Sequence, residues 1–155
     1  MALPSSYKQV VEVFRELAST HQAVKQFGIG QVSDIDIQTE ENAFQRFPLV
    51  FLVPALSQMD RFGKVVLGFR MVVCDIAKDN EEEVTVNTQN NTFMIIQDLL
   101  SKIILTGWDT VGITVQTPVN LIPFQEKFNN NLTGWEAQLS VIVQSPFNYC
   151  AAPFE

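Results

Sequence analysis

Hydrophobic residues occupy both alternating sets of positions in the segment Lys64–Ala77, KVVLGFRMVVCDIA. The first set is apolar throughout: Val65, Leu67, Phe69, Met71 and Val73. The second set is mostly apolar: Val66, Gly68, Arg70, Val72, Cys74 and Ile76. A strand with one face in water alternates between apolar and polar residues. The pattern therefore predicts one long strand that is covered on both faces.

The segment Trp135–Val143 shows the regular alternation that the long strand lacks, because every second residue is apolar. We expect two further strands before it, at Gly112–Val119 and Leu121–Phe128. The polar stretch Asn129–Gly134 between the last two strands is typical of a hairpin turn.

Prolines mark the limits of another predicted strand, Phe47–Val53. Proline donates no ladder hydrogen bond, so Pro48 and Pro54 indicate strand ends or a sheet edge. We expect a short strand at Val32–Ile37 and a connection at Ala55–Gly63, where Arg61-Phe62-Gly63 would turn the chain.

Two segments show the 3.6-residue period of amphipathic helices. The first runs from Ser6 to about Phe27, with Ser6 and Gln9 in a capping-box pattern and Gly28 as the residue that ends it. The second begins at Asn87 or Thr88 and ends at Ile104. Its predicted buried stripe consists of Phe93, Ile96, Leu99, Leu100 and Ile103.

The order helix, strands, helix, strands predicts an α+β fold. In such a fold a mostly antiparallel sheet carries its helices on one face. A chain of 155 residues fits one domain of ordinary size. We see no internal repeat and no linker, and so expect one domain over 1–155, with a C-terminal tail from about residue 145.

The charge balance argues against nucleic acid as the main partner. Ten basic and 17 acidic residues give a net charge of −7, and the basic residues are scattered rather than clustered. Phosphate recognition needs clustered Lys and Arg. An anionic membrane surface is unfavourable for the same reason. Met1–Tyr7 lacks the features of a secretory signal, and no apolar run reaches the 18 residues of a membrane span.

The sequence contains few of the residues that nucleophilic catalysis or structural zinc requires. His21 is the single histidine and falls at the edge of the first predicted helix. Cys74 and Cys150 lie far apart and outside any CxxC motif, and we expect both thiols to be reduced and packed. No glycine-rich nucleotide-binding pattern is present. We therefore expect no enzyme activity, no cofactor and no metal.

Acidic residues leave one catalytic alternative open. Four carboxylates in a predicted loop could hold a divalent metal: Asp34, Asp36, Glu40 and Glu41. Their spacing is not that of an EF-hand. A second charged segment, Lys78–Glu83, reads as a solvated loop.

The order of the predicted elements resembles that of the tail-terminator and tail-completion family of tailed bacteriophages. In that layout an N-terminal helix, here Ser6–Phe27, leads into a hairpin with a long apolar strand, here Phe47–Ala77. A helix across the sheet follows, Asn87–Ile104, and a second hairpin closes the domain, Gly112–Val143.

Two short segments add to this resemblance. The stretches NLTGWEA, from Asn131, and SPFNYC, from Ser145, are similar to the C-terminal part of neck and tail-junction proteins of phages, including the crAss-like group. The resemblance covers most of the chain. It implies a virion protein that forms a six-fold or twelve-fold ring at the head–tail junction. Such a ring would contact neighbouring portal, neck and tail proteins, and DNA would pass through its lumen without sequence-specific binding.

A ring is built from a heterologous contact whose rotation closes, and apolar strands and aromatic tails suit such contacts. We therefore expect the interface to include one face of the long strand and the C-terminal tail: Val66, Arg70, Val72, Ile76, Phe147, Tyr149 and Phe154. The acidic residues expected to face the lumen are Asp79, Glu81, Glu82 and Glu83. Two alternatives remain, a non-viral adaptor that binds one protein partner and a metal-dependent enzyme or ligand-binding domain.

Overall fold

The computed structural model describes residues 7–31, 47–77, 82–105, 113–127 and 131–143. In chain order the elements are α1 (Tyr7–Ser19), β1 (Gln26–Ile29), β2 (Leu49–Met59), β3 (Val65–Ile76), α2 (Glu82–Leu105), β4 (Ile113–Val115), β5 (Asn120–Lys127) and β6 (Asn131–Val143). The six strands belong to one sheet in the order β1-β2-β3-β6-β4, and β5 also pairs with β6.

Strand β3 lies at the centre of the sheet. It pairs antiparallel with β2 on one side and with β6 on the other. The β3–β6 register is unbroken from Val65 opposite Val143 to Ile76 opposite Leu132. Strand β1 is parallel to β2, whereas β4 and β5 pair antiparallel with successive parts of β6. The α+β prediction with a mostly antiparallel sheet is confirmed.

Both helices cover the same face of the sheet, here called the helix face. The helices contribute Val10, Phe14, Leu17, Ile96, Leu99 and Ile103 to its buried cluster. The strands contribute Val50, Leu52, Phe69, Met71, Val73, Ala137, Leu139, Val141 and Val143. The rings of Phe14 and Phe69 meet at 5.8 Å between centroids. Burying each large apolar side chain stabilises the fold by about 1.5–3 kcal/mol.

The opposite face, here called the second face, carries a separate buried cluster at one end. Its members are Phe47, Leu49, Phe51, Val53, Val72, Cys74, Phe124 and Leu132. Val72 and Cys74 are fully buried, whereas Val66, at the other end of β3, is partly exposed. The prediction that β3 is covered on both faces is therefore confirmed for its C-terminal half only.

The first helix is shorter than the sequence predicts. It ends at Ser19, and Phe27 and Gly28 lie in β1 rather than at a helix terminus. The Ser19 hydroxyl donates to the Glu16 carbonyl at 2.7 Å, and the Thr20 hydroxyl donates to the Leu17 carbonyl at 2.7 Å. These bonds satisfy carbonyls that end the helix, and pairing with β2 makes the next segment a strand.

Other boundaries also differ from the predictions. Strand β2 continues through Pro54 to Met59, so the expected connection shrinks to a turn, and α2 begins at Glu82, five residues earlier than expected. β4 ends at Val115, and β6 already begins at Asn131, inside the predicted turn. The antiparallel β5–β6 hairpin itself is confirmed. The strand predicted at Val32–Ile37 lies outside the described residues.

Two leucines on α2 provide a matched test of the core. Leu99 is 2% exposed in the helix-face cluster, and Leu105 is 77% exposed. We expect Leu99→Ala to lower the free energy of unfolding by about 2–5 kcal/mol, because it leaves a cavity. Leu105→Ala should change it by less than about 0.5 kcal/mol. Urea unfolding followed by circular dichroism measures both values, and similar losses in the two variants would contradict the packing of α2.

Candidate interaction surface

Hydrogen bonds fix the turn of the β2–β3 hairpin. Asp60 Oδ1 accepts from the backbone N–H of Phe62 and of Lys64, each at 2.9 Å. The Gly63 N–H donates to the Asp60 carbonyl at 3.1 Å, and the Asp60 N–H donates to the Lys64 carbonyl at 3.0 Å. Gly63 has a φ of 85°, which glycine adopts without strain. The result is a type I turn with a left-handed glycine, a common three-residue hairpin loop.

This hydrogen-bonded turn holds apolar side chains in solvent. Phe62 is 80% exposed at the tip, and Leu56 and Met59 on β2 are 85% and 64% exposed. The Arg61 guanidinium lies over the Phe62 ring at 5.4 Å from its centroid. Single exposed apolar residues are common on protein surfaces. Three within seven residues of a hydrogen-bonded hairpin form a candidate interaction surface. We call residues 54–64 the hairpin arm.

The hairpin arm lies at an edge of the sheet. Strand β1 pairs with β2 only from Leu49 to Leu52, and no other described strand pairs with the outer side of β2 beyond it. Pro54 lies in this outer part, in agreement with the expectation that it marks a strand end or an edge.

A β-bulge disrupts the same edge. The register of β2 against β3 shifts between Ala55 and Gln58. The Gly68 N–H donates to the Ser57 hydroxyl at 3.0 Å, and the Leu56 carbonyl lies so close to the Gly68 Cα that any Cβ would clash. Gly68 is therefore required for the bulge. Bulges and prolines protect exposed edges from pairing with other chains.

A polar groove of about 460 Å³ lies on the second face beside the arm. Its lining combines the hairpin with β6 and the residue that follows β4: Leu56, Gln58, Asp60, Lys64, Val66, Gln116 and Ser140. Most of these side chains are polar. The groove therefore gives the arm a hydrophilic flank on this face.

A second apolar surface lies on the helix face, between α2 and β6. It is a shallow depression of about 320 Å³ lined by Val86, Gln89, Asn90, Phe93 and Trp135. The Phe93 and Trp135 rings meet edge to face at 5.3 Å, and Val86 is 55% exposed. The Trp135 indole N–H donates to the Gln89 carbonyl at 3.0 Å, which fixes the ring. We call this surface the α2 depression.

The four interface residues predicted on β3 differ in their surroundings. Val66 is partly exposed and lines the groove, and Ile76 is partly buried against the second-face cluster. Arg70 forms an ion pair with the buried Glu136 of β6. Val72 is fully buried within the single chain and therefore offers no surface to a partner. The tail residues Phe147, Tyr149 and Phe154 lie outside the described residues.

The predicted acidic loop is partly a helix. Glu82 and Glu83 form the first turn of α2 and are exposed there. Carboxylates at a helix N-terminus interact favourably with the unpaired N–H groups and the helix dipole. This interaction explains why the helix begins before Asn87. Asp79 and Glu81 lie outside the described residues.

His21 joins the two helices. Its Nδ1 accepts from the Ala23 backbone N–H at 3.1 Å, and its Nε2 lies 3.0 Å from Asp98 Oδ2 on α2. With Nδ1 as the acceptor, the neutral ring carries its proton on Nε2 and donates it to Asp98. The Nε2 contact therefore connects the end of α1 to α2, and the Nδ1 bond lies within the turn that follows α1. Lys102 adds a neighbouring bond to the Thr20 hydroxyl at 3.0 Å.

Two ionisable groups at the end of β3 have perturbed pKa values. Cys74 is a free, buried thiol, and burial together with the neighbouring Asp75 carboxylate raises its pKa far above the ordinary range. Burial also raises the pKa of Asp75, against the opposing effects of the Ile76 N–H and of Lys25. A buried thiol that keeps its proton is a poor nucleophile. Cys74 therefore acts as a packing residue.

Within the described ranges no three His, Cys, Asp or Glu side chains group together as a metal site would require. The alternative metal ligands Asp34, Asp36, Glu40 and Glu41 all lie in the segment 32–46, outside those ranges. No helix in the described part of the chain combines the length and the hydrophobicity of a membrane span.

The chain matches no protein-family model and no curated protein. We therefore identify the candidate surface from its geometry.

Phe62 falls in a predicted turn and outside the predicted interface residues. The turn had a readable signal, since Asp60 followed three residues later by Gly63 suits a type I turn. The exposure of Phe62 had no comparable signal.

Replacing Asp75 tests the electrostatics at the end of β3. A raised pKa means that folding disfavours the charged form of Asp75. The charged carboxylate therefore lowers the free energy of unfolding at neutral pH, and this loss disappears below the ordinary carboxyl pKa, where the group is protonated in both states. We expect Asp75→Asn to raise the melting temperature at pH 7, because the amide oxygen can still accept from the Ile76 N–H. The gain should shrink as the pH falls through the carboxyl range.

Glu16→Gln is the matched control for this change, since it removes the same charge from an exposed position on α1. Its melting temperature should follow the wild type at each pH. A loss of stability in Asp75→Asn at pH 7 would contradict the assigned direction of the pKa shift.

Proposed function

We propose that this chain is a structural protein that assembles with copies of itself into a ring. The observation that carries the proposal is the hairpin arm, a hydrogen-bonded turn that holds Phe62, Leu56 and Met59 in solvent. Because four hydrogen bonds hold the turn within the single chain, we expect little conformational entropy to be lost when a partner covers it. An exposed aromatic side chain on a rigid support is typical of an interface anchor.

The arrangement of exposed surfaces favours a ring over a symmetric dimer. The hairpin arm and the α2 depression are different in shape and lie apart, so a contact between them joins unlike surfaces of two copies. Such a heterologous contact generates a closed ring when the rotation between copies closes. Both surfaces are already formed in one copy, which suits stepwise addition of subunits.

We place this ring at the head–tail junction of a tailed bacteriophage, as a neck or tail-terminator protein of the virion. This assignment rests on the resemblance of the element order to the tail-terminator and tail-completion family. The ring would link portal-side to tail-side proteins and would need no cofactor, membrane or catalytic residue. The net charge of −7 suits a lumen through which DNA passes without adhering.

An adaptor that binds one unrelated protein is the second candidate. The hairpin arm is compatible with this candidate, because one exposed anchor is enough to bind a single partner. A ring component and an adaptor differ in self-association. The oligomeric state of the purified chain therefore separates them.

Native mass spectrometry and negative-stain electron microscopy of the purified chain test the proposal. We expect a closed oligomer with one dominant copy number, six or twelve by the resemblance, that forms as the concentration rises. Mass spectrometry of phage particles should also detect the chain. A monodisperse monomer or closed dimer at every concentration, together with absence from particles, would overturn the ring and favour the adaptor.

A further inference from the structure

We propose that the hairpin arm of one copy docks in the α2 depression of the next copy, with Phe62 as the anchor. The proposal names the contact that builds the ring and so rests on the proposed function. No described part of the same chain covers either surface, and the proposal pairs one surface with the other.

Both surfaces present aromatic rings, the arm at a projecting turn and the depression at its floor. The arm presents an aromatic ring, 80% exposed, at the tip of a narrow turn. The depression has an apolar floor of Phe93 and Trp135 with Val86 on its rim. Aromatic rings pack well edge to face or offset, and such pairs add to the free energy of area burial. We therefore expect Phe62 to pack against the rings of Phe93 and Trp135.

Their charges are complementary. The arm carries two basic side chains, Arg61 and Lys64, and one acidic side chain, Asp60, so its net charge is +1. The Asp60 carboxylate accepts two backbone N–H bonds within the turn. The first turn of α2 carries Glu82 and Glu83. Helical spacing places Glu82 one turn before Val86, and Glu83 two turns before Asn90, on the side of the helix that borders the depression. A basic arm would therefore meet an acidic rim.

One chain cannot make this contact with itself. The arm begins next to Val65, which pairs with Val143, whereas the depression contains Trp135, which pairs with Val73. Eight residues along a strand separate these points by about 26 Å. The arm therefore reaches the depression of another copy only, and that copy's own arm stays available for a third. This head-to-tail pattern is what a ring requires.

Charge reversal tests the contact directly. We expect the double variants Arg61→Glu with Lys64→Glu, and Glu82→Lys with Glu83→Lys, each to weaken self-association at least tenfold, because like charges then face each other. An equimolar mixture of the two variants should assemble again. In it the acidic arm of the first variant meets the basic rim of the second, and the unchanged arm of the second meets the unchanged rim of the first. Sedimentation velocity at low salt measures all four samples. Far-ultraviolet circular dichroism confirms that each variant is folded.

The apolar part is tested by Phe62→Ser, for which we expect roughly ten- to a hundredfold weaker association. Leu105→Ser is the matched control, because Leu105 is 77% exposed at the far end of α2 and lies in neither surface. It should assemble like the wild type. Both positions are exposed, so neither change should affect folding.

The outcomes separate this inference from the proposed function. If the wild type forms a ring and the arm variants do so equally well, or if mixing fails to restore assembly, another contact builds the ring and this inference fails alone. If the wild type does not self-associate at any concentration, the ring and this contact fail together. Assembly that is lost in each variant and restored in their mixture supports the pairing of arm and depression.

Discussion

The pairing of β3 on both sides, unbroken with β6 and interrupted by one bulge with β2, is the constraint on which the rest of the structure depends. Because β3 is paired along both sides, its apolar residues must be covered above and below the sheet. The helices supply one cover, over Phe69, Met71 and Val73. On the second face only the end near Val72 and Cys74 is buried. The other end of the same strand leads into the hairpin arm, where coverage stops and apolar side chains remain in solvent.

The sequence predicts the parts of the fold that depend on local periodicity. The alternation of β6, the long β3 and the buried stripe of α2 follow from patterns of two and of 3.6 residues. Strand β1 could not be predicted this way. Its four residues become a strand because they pair with Leu49–Leu52, more than 20 residues further along the chain. The ends of α1 and α2 likewise depend on hydroxyl and carboxylate contacts with the backbone rather than on the apolar stripe.

The candidate surface was predictable only in outline. Two apolar faces on β3 indicate that something covers both, but burial by the chain itself and burial by another copy have the same driving force. The pattern therefore could not show that Val72 is covered within one chain while Phe62 is not. The α2 depression was similarly hidden, since Phe93 reads as a core residue from its spacing. In the fold it lies at the margin of the core, against Trp135.

The edge of β2 favours a contact through side chains over one through added strands in the association that we propose. An exposed edge presents unpaired N–H and C=O groups that other chains can extend without limit. Here Pro54 removes one donor, and the bulge at Ala55–Gln58 breaks the ladder. Copies that each carry a charge of −7 also repel one another unless opposite charges meet locally. In the proposed contact, a basic arm beside a blocked edge would satisfy both requirements, because it would attract an acidic rim and would give no template for open-ended sheet growth.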